Sequence, residues 1–216
     1  MDAEHWDSRY GQAELVWSAT PNRWVEEVAA GLAPGRALDL AAGEGRNALW
    51  LAERGWRATA VDFSQVALDR GSRLATERLG AAADRFDVVC ADLLDYQPQP
   101  LAYDLVLVVY LQVPAAQRTR VLRAAAGAVA PGGRLLVAAH DTDNLEHGYG
   151  GPPDATVLYS ADDVIADLAG SGLEVERAGQ VIREVATEEG ARQALDALVV
   201  ARQPQSATGG GGDLVQ

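Results

Sequence analysis

The sequence predicts an α/β protein built on a doubly wound, mostly parallel sheet, with one antiparallel strand contributed by a C-terminal hairpin. Three observations predict it. Short apolar runs alternate with helix-period segments through most of the 216 residues. Several of these runs are continuous rather than alternating, as in parallel strands covered on both faces. Near the end, "LEVERAGQVIREV" and "RQALDALVVARQ" are both strand-like, with "ATEEG" between them. Two strands that close in sequence pair most simply antiparallel, and strand–helix repeats closed by such a pair define the class.

In chain order, strands are predicted at 37–41 ("ALDLA"), 58–62 ("ATAVD"), 86–92 ("FDVVCAD"), 103–110 ("YDLVLVVY") and 133–140 ("GRLLVAAH"). Helices are predicted at about 45–54, 64–80 and 114–129. Pro131-Gly132-Gly133 is read as the stop of the third helix, since proline cannot continue a helix and glycine supplies the turn. A fourth helix should begin after Ser160, an N-cap residue followed by Asp162 and Asp163 in the first turn. Residues 1–203 are expected to form one domain, with 1–35 as a helical cap segment. The glycine-rich stretch 204–216 has nothing to bury and is expected to be a disordered tail.

Hydrophobic residues make up 48 % and charged residues 23 %, an ordinary globular balance. Lys and Arg number 18 against 31 Asp and Glu, a net charge of −13 with no basic cluster. Such a field repels polyanions, so nucleic acid is not an expected partner. The one cysteine, Cys90, cannot form an internal disulfide, which fits a reducing cytoplasm. The N-terminal "MDAEHWDSRY" is polar and unlike a signal peptide, and the apolar runs are too short to span a bilayer.

The chemistry concentrates in "LDLAAGEGRNALWLAERG", residues 38–55, where an apolar strand stops at Gly43-Glu44-Gly45 and turns into a helix. Absent Cβ atoms let a ligand approach the backbone there, and helix N-terminal amides suit an anionic or polar group. Counted from Gly43, the third position of a dinucleotide-type glycine fingerprint holds Ala48, which the looser form tolerates. Asp39 lies four residues before Gly43, and Asp62 ends the next strand, placed to accept hydrogen bonds from ribose hydroxyls. Asp92-Leu93 follows the third strand and Tyr110 ends the fourth.

Taken together, "ALDLAAGEGRN", "AVDFS", "CADLLD", "YDLVLVVYLQV" and "APGGRLLV" resemble the successive motifs of class I S-adenosylmethionine-dependent methyltransferases, over roughly residues 36–202. "GEGRNALWLAERG" and the upstream "HWDSRYGQAELVWSATPN" look like the tellurite-resistance and thiopurine-type small-molecule branch. The resemblance implies a Rossmann-like fold, S-adenosylmethionine as cofactor, and a monomer or homodimer acting on a small-molecule acceptor at sulfur, nitrogen, oxygen or a chalcogen. It also implies a residue map. Asp39 would orient the loop or meet the methionine ammonium, directly or through water. The loop Ala41–Gly43–Gly45, with Asn47 behind it, would contact the amino-acid part. Asp62 would bind the ribose, Phe63 and Leu93 would flank the adenine, and Asp92 would lie near its exocyclic amine. Ala41 stands where the family usually has the first glycine, which predicts tighter packing rather than lost binding.

Methyl transfer from a sulfonium is an in-line displacement, so the main demand on the protein is to hold the acceptor in place. A general base is required only for a weak nucleophile such as a hydroxyl. Acceptor residues should come from segments leaving the carboxyl ends of the strands: Tyr110-Leu111-Gln112, the loop "HDTDNLEHGYGG" (140–151) and the N-terminal "WDSRYGQAELVW". His140 or His147 could serve as base with Tyr110 beside them, and Tyr10, Trp17 and Tyr149 could wall the acceptor. His140, Asp141 and His147 are metal-ligand types, but their spacing matches no standard pattern and no metal is expected. An NAD-binding oxidoreductase is the enzymatic alternative, weakened by the lack of recognisable hydride-transfer residues. A non-catalytic cofactor-binding protein is the other.

Overall fold

A computed structural model describes residues 20–205. Seven strands form one sheet in the order β3-β2-β1-β4-β5-β7-β6. They are β1 (Arg36–Leu40), β2 (Arg57–Asp62), β3 (Phe86–Cys90), β4 (Tyr103–Val109), β5 (Val129–His140), β6 (Glu174–Thr187) and β7 (Gly190–Arg202). Strands β1 to β5 pair in parallel, while β7 runs antiparallel to both β5 and β6. The predicted hairpin is therefore present, and it inserts one reversed strand.

The helices are α1 (Arg23–Ala29), α2 (Arg46–Glu53), α3 (Gln65–Leu79), α4 (Ala115–Ala128), α5 (Asn144–His147) and α6 (Ala161–Asp167), with short 3₁₀ turns at Gly80–Arg85 and Ala155–Val157. Ser160 caps α6 as predicted. Its side chain accepts from the Asp163 amide, and Asp163 returns a bond to the Ser160 amide in a full capping box.

Continuous apolar strands arise because both faces of the sheet are covered. Along β4, Leu105 and Leu107 pack with α1, α2, Trp56 and Leu68 on one face. Val106 and Val108 pack with α4, Tyr159 and α6 on the other. The period-2 alternation thus sorts residues between two cores rather than between core and water.

One boundary differs from expectation. Helix α4 ends at Ala128, and β5 already begins at Val129, so Pro131-Gly132-Gly133 lies inside a strand and not at a helix stop. The register with β4 slips between Tyr103 and Leu105, a bulge that accommodates the missing proline N–H. Gly132 takes φ +83 and bonds Gln203, while a Cβ at Gly133 would sit 2.9 Å from the Ala130 and Tyr103 carbonyl oxygens. Strand β3 is shorter than predicted, ending at Cys90, which leaves Asp92 as a turn acid accepting from the Leu94 amide at 2.8 Å.

Parallel pairing puts the carboxyl ends of β1, β2, β4 and β5 along one edge. Because β7 is reversed, the earlier part of that strand returns to the same edge, and Asp196 stands opposite His140.

Candidate functional site

Strand β1 ends in a loop with three left-handed residues: Ala41 (φ +59), Gly43 (φ +57) and Gly45 (φ +72). Gly45 also meets a steric limit, since a Cβ there would lie 2.7 Å from the Phe86 ring. The Glu44 carbonyl packs on Gly71 of α3, where a Cβ would come within 2.6 Å. Arg70 of the same helix pairs with buried Glu44 at 3.1 Å. The loop is thus held in place against α3, with Ala42, Gly43, Glu44 and Gly45 all buried.

Asp62, buried at the end of β2, organises this loop. Its Oδ2 accepts from the Gly43 amide at 2.8 Å and its Oδ1 from the Ser64 amide at 2.9 Å. Ser64 in turn caps α3. Next to it, Phe63 is half-buried, Leu93 is buried, and Cys90 donates weakly to the Phe63 carbonyl at 3.5 Å. These side chains and the exposed Asp92 flank the ends of β2 and β3.

Asp39 differs from every other acid of the sheet. It is 1 % exposed, and neither carboxylate oxygen has a hydrogen-bond partner of ordinary geometry. Burial raises its pKa to about 7, with the Ala48 amide, Arg46 and Asn47 opposing and Asp62 adding to the rise. An orphaned buried acid beside a glycine loop is suited to receive a ligand cation. Asn47, itself buried, accepts from the Asn22 amide at 2.9 Å and so ties the start of α1 to the loop.

At the carboxyl ends of β4 and β5, Tyr110 follows β4 with φ +59, a strained conformation for a bulky residue. Its hydroxyl donates to Asp196 Oδ2 at 2.8 Å. Burial, then the Asp196 charge, pushes the phenol pKa up, so it stays protonated. Trp24 Nε1 (3.3 Å) and Arg183 Nε (2.8 Å) donate to the same oxygen. His140 lies against the Tyr110 ring with centroids 4.9 Å apart, and its Nδ1 is 3.7 Å from Asp196 Oδ1. Burial lowers the His140 pKa, against the pull of Asp196 and with the push of Arg183.

The loop after β5 is pinned at its base. Asp141 and Asp143 both accept from Gln180 Nε2 at 3.0 Å, and Asn144 bonds the Gly150 carbonyl and the Leu195 amide. Gln112 accepts from the His140 amide and donates to the Val157 carbonyl. Gly151 backs the imidazole so closely that a Cβ would lie 2.9 Å from the ring.

Of the residues singled out from sequence, Asp39, Ala41, Gly43, Gly45, Asn47 and Asp62 gather at the ends of β1 and β2, and Tyr110 and His140 meet at the ends of β4 and β5. His147 and Tyr149 do not join them. The His147 side chain is 69 % exposed beside Glu146, and Tyr149 is 45 % exposed. Tyr10 and Trp17 lie outside the described residues. The sequence reading missed Asp196, Arg183 and Trp24. Its available signal was a lone acid in the apolar run "ALDALVV". Among the described residues no group of three His, Cys, Asp or Glu side chains could hold a metal, and no helix is long and apolar enough to cross a membrane. Two shallow cavities, of about 260 Å³ beside Trp50 and Trp56 and about 240 Å³ beside Arg134 and Glu176, belong to neither half of this site.

Comparison with known proteins agrees with this geometry. Residues 37–133 match the methyltransferase domain family. The chain is 28 % identical over 152 residues to the ubiquinone biosynthesis O-methyltransferase of Aeromonas salmonicida, covering 62 % of this chain and 56 % of that one. It spans about half the length of the curated relatives it matches. A structure solved in work on the conversion of a disulfide bond into a thioacetal group during echinomycin biosynthesis superposes with TM-score 0.72 at 22 % identity, over 95 % of this chain and 94 % of that one. TehB from Haemophilus influenzae superposes with TM-score 0.68 at 17 % identity, over 93 % and 66 %. Residues 37–133 thus resemble a methyltransferase domain, and the chain shares the fold of these solved structures. The glycopeptide N-methyltransferase MtfA, solved in complex with S-adenosylmethionine, superposes with TM-score 0.61 at 21 % identity, over 87 % of this chain and 96 % of that one.

Proposed function

We propose that the protein transfers a methyl group from S-adenosylmethionine to a small molecule, in the manner of the tellurite-resistance and thiopurine-type branch. The observation that carries the reading is the pairing of a glycine loop clamped by Asp62 with the orphaned carboxylate of Asp39. In this reading the amino-acid end of the cofactor lies on the Ala41–Gly45 backbone, its ammonium faces Asp39 and its ribose faces Asp62. Phe63, Leu93 and Asp92 surround the adenine. The cofactor supplies an electrophilic methyl carbon on a sulfonium, whose sulfur leaves as a neutral thioether.

The chain's own residues would do the rest. Tyr110 forms the floor of an acceptor chamber, and the 140–151 loop forms one wall. Tyr10 and Trp17, which lie outside the described residues, and the exposed Tyr149 are assigned to acceptor binding as well. A chamber of this kind admits a small molecule and excludes a macromolecule, and the −13 charge disfavours nucleic acid. Between the two histidines, the packing of His140 against Tyr110 favours it over exposed His147 as the base. A monomer or homodimer in a reducing cytoplasm suits the lone free cysteine.

Isothermal calorimetry with S-adenosylhomocysteine and NAD tests the cofactor. Micromolar or tighter binding of the former and none of the latter is expected, and the opposite result refutes the reading. A screen of thiols, phenols, amines and metalloid oxyanions with labelled S-adenosylmethionine then identifies the acceptor. Rapid methylation of RNA or folded protein overturns the chamber.

A further inference from the structure

Four elements, α1, the end of β4, β5 and β6, converge on one buried carboxylate of β7. Asp196 of β7 is fully buried and receives Trp24 from α1, Tyr110 from the end of β4, and Arg183 from β6. Three of these donors crowd onto Oδ2. Oδ1 receives only the long contact from Arg183 Nη2 at 3.3 Å and faces His140 Nδ1 at 3.7 Å. That Nδ1 is itself buried without a hydrogen-bond partner, while 15 % of the His140 side chain stays exposed. A buried imidazole nitrogen facing a carboxylate oxygen satisfies both groups best when it carries the proton.

We infer that Asp196 is a positioning residue that fixes His140 in the Nδ1–H tautomer, leaving Nε2 as the unprotonated base that faces the acceptor. The inference rests on the methyltransferase reading above and adds a choice of tautomer to it. A small closure of the 3.7 Å gap completes an Nδ1–H···Oδ1 bond. The ring is already held against rotation by Tyr110 on one side and by the Gly151 backbone, and its own amide is fixed by Gln112. The proton step then balances simply. The O–H bond of a hydroxyl acceptor breaks as an N–H bond forms at Nε2, the oxygen keeps the electron pair for attack, and the resulting imidazolium is stabilised by Asp196 until it gives its proton to water. A thiolate, amine or oxyanion acceptor needs no such base, so the arrangement suits acceptors that carry a hydroxyl proton.

The groups facing the imidazole divide in their effect. Asp196 favours its protonated form, whereas Arg183 opposes it, and Tyr110 is a neutral phenol stacked on it. Burial and Arg183 keep the ring neutral near pH 7, as a base must be, while Asp196 sets which nitrogen is free.

The test reads the tautomer directly and needs no acceptor. Long-range ¹H–¹⁵N correlation spectra of the full chain with S-adenosylhomocysteine distinguish Nδ1–H from Nε2–H imidazoles. The chain has three histidines, so His140→Asn assigns the signal. A dominant Nδ1–H signal for His140 is expected at pH 7. Asp196→Asn should shift the population toward Nε2–H, whereas Arg183→Gln should leave Nδ1–H dominant and raise the pH at which the ring titrates. If Asp196 were only the counter-ion of Arg183, the two variants would behave alike. A dominant Nε2–H signal in the unaltered protein overturns the inference without any variant having to fold. Calorimetry on the same sample separates the two levels: no S-adenosylhomocysteine binding refutes the methyltransferase reading, while binding with the wrong tautomer refutes only the role of Asp196.

Discussion

Replacing Asp39 by Asn should make the free protein more stable near pH 8 and bind S-adenosylhomocysteine more weakly. The magnitude follows from burial. An ordinary aspartate titrates at 3.8, whereas this one is raised to about 7, chiefly because burial penalises its charge. At about 1.4 kcal/mol per pH unit, that gap is worth about 4 kcal/mol. Below 3.8 the acid is protonated in both folded and unfolded chains and contributes no penalty. As pH rises the unfolded chain ionises first, so stability falls until the folded carboxyl titrates near 7, and the full penalty holds above that. An asparagine amide must itself be desolvated, which leaves a net gain of about 2–4 kcal/mol for the variant at pH 8. Urea unfolding of both proteins between pH 4 and 8 measures it, and the two stability curves should diverge as pH rises. Ligand binding gives an independent reading. At pH 6 the free carboxyl is mostly protonated, so a ligand cation that faces it displaces about one proton. Calorimetry in two buffers of different ionisation enthalpy should show that proton in the native protein and not in Asp39→Asn. Parallel stability curves, or equal proton release from both proteins, would refute the reasoning.

Asp62→Ala should weaken S-adenosylhomocysteine binding by roughly 1.5–3 kcal/mol, the scale of charge-assisted hydrogen bonds to the ribose, and an unchanged dissociation constant would remove Asp62 as a ligand. Ala41→Gly should stabilise the free protein by up to about 1 kcal/mol, because relief of the left-handed alanine, about 1–2 kcal/mol, outweighs the extra chain entropy of glycine, about 0.5–1 kcal/mol; a loss of stability in urea would show that the Ala41 methyl packs more than it strains. Trp17→Ala should leave cofactor affinity nearly intact and lower turnover about tenfold or more, since it would act on acceptor positioning. His147→Ala should keep turnover within about twofold while His140→Ala lowers it by about a hundredfold, the lower range for a general base; the reverse ranking would move the base to the exposed loop.

The fold class, and the gathering of residues at the ends of β1 and β2, were legible because they rest on local patterns. Asp39, Gly43, Gly45 and Asp62 fall within two consecutive strand–turn units, where spacing alone fixes who meets whom. The cluster at the ends of β4 and β5 was legible only in part. Tyr110 and His140 end adjacent parallel strands, and Asp196 reaches them only because β7 inserts antiparallel between β5 and β6. Nothing local in "RQALDALVV" sets that register, and Trp24 joins from 172 positions away in the chain. The Pro-Gly-Gly stretch misled for a related reason: punctuation residues mark a break in pattern, and a bulge inside a strand breaks it as well as a turn does.

The positions where local preference loses to tertiary structure lie mostly along one edge of the sheet. Ala41 and Tyr110, two of the three left-handed residues other than glycine among the described residues, follow the neighbouring strands β1 and β4. Asp39 and Asp196 are lone acids in runs whose other members are almost all apolar, and each is essentially buried. A sequence selected for stability alone would place alanine or valine at those two acids and glycine at Ala41 and Tyr110. A left-handed alanine costs the folded chain about 1–2 kcal/mol and the buried Asp39 charge about 4 kcal/mol above pH 7, and such costs persist where function requires them. The costs also divide by kind. At Asp39 the unmet charge is left for a ligand, so binding should relieve it and the bound protein should gain stability with pH relative to the free one. At Asp196 the charge is already met by Arg183, Tyr110 and Trp24, so ligand binding should change its contribution little. A comparison of thermal midpoints with and without S-adenosylhomocysteine from pH 6 to 8 should therefore show a ligand-induced rise that grows with pH and disappears in Asp39→Asn. A rise of the same size in both proteins would mean that the ligand cation does not meet Asp39.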